Sequence, residues 1–591
     1  MSSPRAQPLY FGPTDRSLFG WLHRPAADVA RNLGLVLCSA SGYEAICTHR
    51  SYRHFAEEAA ARGFPALRFD YDGTGDSAGG SLDADRLGHW LRSIAAAIDI
   101  LKETTGVERI CLFGVRVGAS LAAVAAQGRT DVEALIAFAP VIKVNSYLRE
   151  TRALALSRNQ SEPPPELKVD PELQEAAGFT TTAETRAALA NIDLAKLASA
   201  PAAHVLLLER DDLTQSDVWS SKLRHQSAVV EQGPLIGYTD MMRDAHASKV
   251  PVKAIASALE WLEQRATVSA TITPANLREP VDASFDQDGV PVLETATFLD
   301  PERVLFGIIS EPAQRSEPIR DVVVLLNSGT INHIGPGRLY VAIARQCAAR
   351  NVVVLRVDLS GVGDSGLRPG EAGNAAYAAS ASLDVRVAVE CAARRFPNAK
   401  LHLFGLCSGA YHGLKAAAAG LPLRSVVIVN PLTFFWKPGM SLEYSDFQVT
   451  AETKRYARSA GSLASWLKLL RGEVDLRNAA TIFWKRFETR AKHRLREAAR
   501  AFGIKTHEDL AAELLRVADQ HTDMFFVFSA SDPGHALLLE QGGSTVRKLE
   551  RQGRMRSSIV SGADHTFNQS WNRDQLIALL MTHLDRHATG A

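Results

Sequence analysis

The feature that most constrains the fold is an internal repeat within the chain of 591 residues. Three pairs of strings carry it: "SLFGWLHRPA" with "VLFGIISEPA" (Phe19 with Phe306), "ALRFDYDGTGDSAG" with "VLRVDLSGVGDSG" (Gly73 with Gly361), and "ICLFGVRVGAS" with "LHLFGLCSGAY" (Phe113 with Phe404). The members of each pair are separated by almost the same number of residues. This long and steady spacing indicates two copies of one fold rather than a short solenoid repeat.

Each copy alternates short apolar runs with alanine-rich stretches, which indicates alternating strands and helices. In the second copy the predicted strands cover 321–329, 352–361, 400–407, 425–432, 524–532 and 557–562. These runs are continuously apolar, as expected for parallel strands that are buried on both faces. We therefore predict an α/β fold with two tandem domains, each built on a mostly parallel, doubly wound sheet.

The boundary between the copies is predicted at 266–295, where "TITPANLREPVDASFDQDG" loses apolar periodicity and gains Pro, Asp and Gly. Residues 1–265 then form the first domain, 266–295 a linker with an entry strand, and 296–591 the second domain. Each domain is expected to carry a helical cap insertion. The first cap covers about 143–197 and the second about 433–523, between predicted strands.

Composition points to a cytoplasmic protein without a cofactor or metal. The net charge of +1 gives no reason to expect nucleic acid or a membrane surface as a partner. The first residues, "MSSPRAQPLYFG", lack the apolar core of a signal peptide, and no apolar run has the length of about 18 residues that a membrane helix needs. The six cysteines show no C-x-x-C spacing, which favours free thiols in a reducing compartment. The turn Gly361–Ser365 lacks the Lys of a phosphate-binding loop and is interpreted as a structural turn.

The string "LHLFGLCSGAYHG" reads as a strand, a tight turn and a helix, with Cys407 in the turn. Such an elbow lifts a nucleophile above the carboxyl edge of a sheet, and the N–H of Ser408 then faces an incoming carbonyl oxygen as an oxyanion donor. The start of a helix also favours the thiolate form of a thiol. A second oxyanion donor is expected after the first core strand, at Ser328 or Gly329.

A base and an orienting acid follow the elbow in the chain. Asp532 follows the strand in "FFVFSASDPGH", and His565 follows the strand in "SSIVSGADHTF". The order nucleophile, acid, histidine predicts that Cys407 attacks, His565 transfers the proton and Asp532 holds the imidazole. Two alternatives stay open at this point: His412, on the elbow helix, as the base, and Asp564, beside His565, as the acid.

These elbows, turns and loops resemble the α/β-hydrolase superfamily over nearly the full chain, specifically its tandem serine-aminopeptidase-like or lipase-like members. Cysteine in the elbow is similar to dienelactone hydrolases and polyhydroxyalkanoate synthases. The resemblance implies a hydrolase that cleaves an ester, thioester or amide through an acyl-thioester on Cys407. One alternative is acyl transfer from coenzyme A or a carrier protein to an amine or alcohol. The other is a non-catalytic binding or scaffold protein.

The first copy has different residues at the same three positions. Arg116 occupies the nucleophile position, Asp212 the acid position and Asp240 the histidine position. This copy therefore lacks both nucleophile and base and is predicted to be a degenerate site. We expect the guanidinium of Arg116 to bond Asp212, and Asp240 as a further partner, and so to plug the site. The alternative is a pocket that binds an anionic ligand.

The second cap is predicted to be basic. Ala451–Arg500 holds 13 Lys or Arg against 5 Asp or Glu. This charge is either a solvated helical face or a means to attract an anionic acyl substrate, such as a coenzyme A ester or an acyl carrier protein. Trp466, Phe483, Trp484 and Phe487 supply either an apolar channel or the core of the cap. The oligomeric state is left open.

Overall fold

The computed structural model describes residues 5–158, 170, 172–212, 217–269, 281–315, 317–437, 440, 508–530 and 532–588. The chain divides into two compact units. The first unit comprises Met1–Ile319, Thr330–Ala375 and Asn568–Arg573, and the second comprises Arg320–Gly329, Ala376–Phe567 and Asp574–Ala591. The predicted limits of the two sequence copies stay a prediction. The basic stretch of the second cap and its four aromatic residues lie outside the described residues.

An eight-stranded sheet forms the core of the first unit. Its strands are β1 (Arg5–Phe11), β2 (Leu18–Arg24), β3 (Leu33–Cys38), β4 (Ala66–Phe69), β5 (Arg109–Val115), β6 (Val132–Phe138), β9 (His204–Arg210) and β10 (Val229–Leu235). They lie in the order β1-β2-β4-β3-β5-β6-β9-β10. β2 pairs antiparallel with β1 and β4, whereas the other neighbours run parallel. The predicted parallel core of the first copy is thus confirmed.

Helices cover both faces of this sheet. They are α1 (Tyr43–Ala61), α2 (Arg86–Thr105), α3 (Val117–Ala125), α4 (Val144–Arg158), α5 (Ala183–Ala190), α6 (Asp217–His225), α7 (Tyr238–Met241) and α8 (Val252–Glu263). Successive side chains of β3 point to opposite faces, so Val36 packs in one core with Ile98 of α2. Leu35 packs in the other core with Phe55 of α1 and Leu259 of α8. Burial on both faces explains why these strands read as continuous apolar runs.

The first unit also contains a cap and a further group of strands. The cap lies between β6 and β9 and consists of α4, α5 and the antiparallel pair β7 (Gln174–Ala176) and β8 (Phe179–Thr181). The further strands are β11 (Val281–Gln287), β12 (Val290–Phe298), β13 (Phe306–Pro312) and β15 (Val353–Val357), with helix α9 (Leu339–Ala348) between the last two. These four strands pair antiparallel in the order given.

Five parallel strands form the sheet of the second unit. They are β14 (Asp321–Leu326), β16 (Lys400–Leu406), β17 (Ser425–Val429), β18 (Asp523–Ser529) and β19 (Met555–Val560), paired in that order. The helices are α10 (Ala381–Arg395), α11 (Ser408–Ala418), α12 (Leu510–Asp519), α13 (Gly534–Gly542), α14 (Ser544–Arg551) and α15 (Ser570–Ala588), the last of which begins in the first unit. Five of the six strands predicted for the second copy are confirmed as parallel. The sixth, predicted at 352–361, forms β15, which pairs antiparallel with β13 in the first unit. Within the described ranges, no helix is apolar over enough residues to cross a bilayer.

Candidate active site

The elbow of the second copy is a sharp turn between β16 and α11. Cys407 has φ 60° and ψ −116°, a conformation that costs energy for a residue with a side chain. The strand and the helix approach so closely that a Cβ at Gly405 would lie 2.1 Å from the backbone of Gly409. The thiol is largely buried, because Cys407 is only 9% exposed. Small residues on both sides of the turn thus hold the thiol at the carboxyl end of β16, where a nucleophile elbow holds its nucleophile.

His565 and Asp532 leave the carboxyl ends of two neighbouring parallel strands, β19 and β18. Nδ1 of His565 lies 2.6 Å from Oδ2 of Asp532, and the Asp532 side chain is fully buried. The other carboxylate oxygen accepts a hydrogen bond of 2.7 Å from the N–H of Gly534. The carboxylate is therefore fixed in position, and it orients the imidazole.

The neighbours of His565 determine its charge. Burial disfavours the imidazolium, but the negative charge of a nearby Cys407 thiolate and the hydrogen bond with Asp532 outweigh it and raise the pKa of His565 to about 10. The structure therefore brings the three predicted residues together. An imidazolium beside a thiol stabilises the thiolate, which is the nucleophilic form.

His412, the alternative base, has a different role in the structure. Its Nε2 lies 2.9 Å from the carbonyl oxygen of Ala376, to which it donates a hydrogen bond. Burial lowers the pKa of His412 to about 4, so this imidazole stays neutral at ordinary pH. The carboxylate bonded to Nδ1 of His565 is that of Asp532, the residue preferred over Asp564.

Asn430 supports the loop that carries His565, and the sequence did not single it out. Its Nδ2 donates a hydrogen bond of 2.8 Å to the carbonyl oxygen of His565, and its Oδ1 accepts one of 2.8 Å from the N–H of Ser529. Asn430 follows β17 with φ 43°, and Ala139 follows β6 of the first copy with φ 46°. The sequence signal that could have identified Asn430 is a polar residue at the end of an apolar strand.

Tyr377 contributes an aromatic wall beside Cys407, and it too was missed. Its ring stacks on Trp436 with the centroids 4.1 Å apart and meets the edge of Tyr411, which lies one helical turn after Cys407. Its hydroxyl is buried, and it has no hydrogen-bond partner within the residues that the structure describes. Burial, followed by the charges of Cys407 and Tyr411, raises the pKa of Tyr377, so the phenol remains a hydrogen-bond donor.

The loop after β14 meets the first turn of α11. The N–H of Gly329 donates a hydrogen bond of 3.0 Å to Oγ of Ser408. A Cβ at Gly409 would lie 2.7 Å from the carbonyl oxygen of Asn327. The predicted oxyanion residues Ser408, Ser328 and Gly329 therefore lie at one junction, although the Ser408 hydroxyl already uses the Gly329 N–H. Their role as oxyanion donors stays a prediction.

Arg116 occupies the matching turn of the first copy, with φ 54° and ψ −122°. Its Nε lies 3.1 Å from a carboxylate oxygen of Glu44 at the start of α1. Its Nη2 lies 3.0 Å from a carboxylate oxygen of Glu150 on α4, and the guanidinium carbon lies 5.3 Å from the ring centre of Tyr147. The guanidinium is thus paired, as the plug hypothesis requires. Because it already binds two carboxylates, an anionic ligand is disfavoured at this position.

The predicted partners of Arg116 were wrong. Asp212 instead forms two hydrogen bonds of 2.9 and 2.8 Å with Arg210, two residues away, and its side chain is 41% exposed. Asp240 bonds Lys249 at 3.0 Å. Both carboxylates find cations close by at the surface, so the longer Arg116 side chain pairs with the carboxylates of α1 and the cap.

Two clusters of histidine and acid lie close enough to hold a metal within the described ranges. In the first, Nδ1 of His583 lies 2.6 Å from a guanidinium nitrogen of Arg556 and its Nε2 lies 2.8 Å from Oγ of Ser425. In the second, both ring nitrogens of His333 are bonded to carboxylates. The ring nitrogens of His583 and His333 are therefore already used, and a guanidinium beside the first cluster opposes a cation.

Two family models match the chain. A model described as serine aminopeptidase, S33, matches residues 36–230, and a model described as alpha/beta hydrolase family matches residues 323–578. The chain therefore belongs to the α/β-hydrolase superfamily and carries two domains of this family in tandem.

Several solved structures are similar to part of the chain. Est1E from Butyrivibrio proteoclasticus has 18% identity, covers 44% of this chain and 98% of its own, and has a TM-score of 0.31. The esterase Pf2001 of Pyrococcus furiosus has 17% identity, coverage of 44% and 91%, and a TM-score of 0.30. A serine hydrolase without a lid from Xanthomonas campestris has 14% identity, coverage of 46% and 98%, and a TM-score of 0.29. No curated protein matches the sequence.

Proposed function

We propose that the second copy is a cysteine-dependent hydrolase that cleaves an ester, thioester or amide. The observation that carries this proposal is the hydrogen bond from His565 to a fully buried Asp532, with Cys407 near enough to raise the pKa of that imidazole. Its support comes from the residue types, from their order and from the strained turn at Cys407. In a dry setting, an oriented imidazole beside a thiol is the arrangement that activates sulfur toward a carbonyl carbon.

In the first half of the reaction, the Cys407 thiolate attacks the carbonyl carbon and forms a C–S bond. The carbonyl oxygen takes the electron pair, and the resulting oxyanion accepts hydrogen bonds from donors such as the N–H of Ser408. The intermediate collapses, and the alcohol, thiol or amine leaves with the proton of the His565 imidazolium. An acyl-thioester remains on Cys407, and His565 is neutral.

In the second half, His565 accepts a proton from water while the water oxygen attacks the thioester carbon. Collapse of this intermediate breaks the C–S bond and releases a carboxylic acid and the thiolate. Asp532 stays ionised throughout and stabilises the imidazolium in both halves. Tyr377 supplies a further donor, because a buried hydroxyl without a partner gains a hydrogen bond when an oxyanion forms beside it.

The test is to trap the acyl-enzyme. The purified full chain is mixed with a series of p-nitrophenyl esters and acyl thioesters, and intact mass and peptide mapping identify the modified residue. We expect one acyl group on Cys407, with Cys407→Ala reducing kcat/KM by about a thousandfold or more. Cys391→Ala is the matched control, because Cys391 is a partly exposed thiol on α10 that the mechanism does not use.

Failure to label Cys407 with any acyl donor, or full turnover by Cys407→Ala, contradicts the proposal. Transfer is separated from hydrolysis by adding amines and alcohols to the same assay. Release of acid that is independent of the acceptor supports hydrolysis. Acceleration together with an acylated acceptor would instead identify an acyltransferase.

A further inference from the structure

The two Gly-x-Gly-Asp-Ser turns of the first unit are joined by reciprocal ion pairs. Arg68, on the strand before the first turn, has Nη2 2.6 Å from Oδ1 of Asp364 in the second turn. Arg356, at the matching position before the second turn, bonds Oδ1 of Asp76 in the first turn. All four residues are buried. The repeat therefore builds the same contact twice, once in each direction.

His333 completes one of the two contacts. Its Nδ1 lies 2.7 Å from Oδ2 of Asp358, and its Nε2 lies 2.7 Å from Oδ2 of Asp76. The His333 side chain is fully buried. Although burial disfavours its charge, the carboxylates of Asp358 and Asp76 raise the pKa of His333 well above its usual value. A planar cation thus bridges a carboxylate of each turn.

The other contact lacks this bridge. Asp70 matches Asp358: Oδ2 of Asp70 accepts a hydrogen bond of 3.0 Å from the N–H of Asp76, and Oδ2 of Asp358 accepts one of 2.9 Å from the N–H of Asp364. Within the described part of the chain, however, no Lys, Arg or His nitrogen lies within ion-pair distance of Asp70. Burial and the nearby Asp76 raise the pKa of Asp70 to about 6. His49 is the nearest counterpart of His333, and its Nε2 lies 3.3 Å from Oδ1 of Asp364 instead.

A cleft lies where the second bridge is missing. Its volume is about 180 Å³, and Asp70 and Asp364 both line it. Aromatic side chains form much of the remaining wall: Trp21, Tyr71, Trp90 and Phe179. An engineered cavity of about 150 Å³ in another protein accepts benzene, so this cleft has room for a ring of that size.

The charged groups of the lining leave one carboxylate uncompensated. The lining contains three carboxylates, two guanidiniums and one imidazole: Asp70, Asp76, Asp364, Arg68, Arg86 and His49. Arg68 neutralises Asp364, and Arg86 is bonded to Asp72, which lies outside the lining. Asp76 is held by Arg356 and His333. His49 faces Asp364 rather than Asp70. Within the described residues, Asp70 therefore remains the one lining carboxylate without a cation at ion-pair distance, and a half-buried carboxylate in this state favours a cation that can enter.

We propose that this cleft binds a small organic cation, of the size of an imidazolium or a guanidinium, between Asp70 and Asp364. The charge of the ligand takes the place that the imidazolium of His333 takes in the matching contact. Its N–H groups donate charge-assisted hydrogen bonds to the two carboxylates. Its flat face packs on the aromatic wall, where the ring quadrupole attracts a cation. No residue of the lining belongs to the proposed Cys407 site, so the two proposals stand independently.

The test uses two probes of the same shape and different charge. Methylguanidinium carries one positive charge, and N-methylurea is its neutral isostere. Titration calorimetry and thermal denaturation of the full chain at pH 7.5 compare the two. We expect saturable binding and a raised Tm with methylguanidinium only. Asp70→Asn keeps the acceptor for the N–H of Asp76 and removes the charge, so it should weaken binding by at least about tenfold. Asp15→Asn, at an exposed position of the same unit, should bind as the unchanged protein does.

Ala45→Leu provides a second test that leaves all charges in place. Ala45 lines the cleft from α1, and the larger side chain fills part of it, so binding should fall by a similar factor. This variant decides the matter if Asp70→Asn does not fold. Equal binding of N-methylurea, unchanged affinity in either cleft variant, or no saturable binding of methylguanidinium each overturns the proposal.

Discussion

The two elbows share a backbone and differ in chemistry. Cys407 has φ 60° and ψ −116°, and Arg116 has φ 54° and ψ −122°. In the first copy a Cβ at Gly114 would lie 2.4 Å from the N of Ala119, so the close approach of strand and helix is kept as well. The strained turn therefore persists in a copy that lacks a nucleophile. The turn therefore serves the packing of the strand against the helix, and a catalytic role depends on the residues that surround the turn.

The residues around the two elbows differ between the copies. In the second, the histidine and acid loops turn inward and meet, with Asp532 fully buried. In the first, the matching residues Asp212 and Asp240 are 41% and 43% exposed, and they pair with cations of their own loops. The same loop positions thus build an acid–base pair in one copy and surface ion pairs in the other.

Replacing the acid in each copy gives the largest expected difference. Asp532→Asn removes the charge that stabilises the His565 imidazolium, so kcat should fall by about a hundredfold or more, and the pKa of His565 should fall toward its usual value. Asp212→Asn should leave both quantities unchanged, because the Asp212 carboxylate is paired with Arg210 at the surface of the first copy. Steady-state kinetics and the pH titration of the His565 ring signals by NMR provide the measurements. An equal loss of activity in both variants would remove the distinction between the copies.

The sequence predicted the backbone features well, because strands, elbows and loop order follow from local apolar runs and glycine positions. It failed for the partners of Arg116, since aligning the motifs of the two copies gives the position of a loop but not the direction of a long side chain. It also missed Asn430 and Tyr377, which come from outside the aligned motifs. Their role depends on which loops meet at the sheet edge, and only the fold provides that information.

Removing the guanidinium tests the plug in the first copy. Arg116→Met keeps much of the side-chain volume but leaves Glu44 and Glu150 without their cation. Since Glu44 is only 20% exposed, we expect a loss of about 2 kcal/mol in the free energy of unfolding, measured by urea denaturation. Arg210→Met breaks an ion pair at the surface and should cost about 0.5 kcal/mol. If the two losses are equal, the ion pairs of Arg116 contribute no more to the free energy of unfolding than a surface ion pair does. Recovery in the double variant Arg116→Met, Glu44→Gln would confirm its cause.

Two tyrosines on the same aromatic wall of the second copy, Tyr377 and Tyr411, allow a comparison of their hydroxyl groups. Tyr377→Phe removes a buried hydroxyl that lacks a partner, so the free enzyme should not lose stability. If that hydroxyl donates to the oxyanion, kcat should fall by about tenfold while KM stays constant. Tyr411→Phe is the control, because Tyr411 packs on the same wall and the backbone of Trp436, rather than Cys407, acts on its hydroxyl. A fall in Tm without a change in kcat would indicate that Tyr377 only packs.

The smallest expected effect is a pH dependence of stability between pH 6 and 10 that His565 contributes and Asp240, at the matching position of the first copy, does not. The pKa of His565 is raised in the folded protein to about 10, from about 6.5 in an unfolded chain. Its charge therefore stabilises the fold fully below about pH 6.5, and this contribution is lost as the pH rises from 6.5 through 10. The Tm difference between the unchanged protein and His565→Gln should be greatest at pH 6 and should shrink toward pH 10, because the imidazolium loses its proton. Since the side chain is 26% exposed, solvent weakens its attraction to Cys407 and Asp532, and we expect the Tm difference to shrink by roughly 2–4 °C. Asp240→Asn, at the matching position of the first copy, should give a difference that is constant over this range. A constant difference for His565→Gln as well would mean that the imidazole gains no charge from its neighbours, and the proposed thiolate–imidazolium pair would then lose its electrostatic basis.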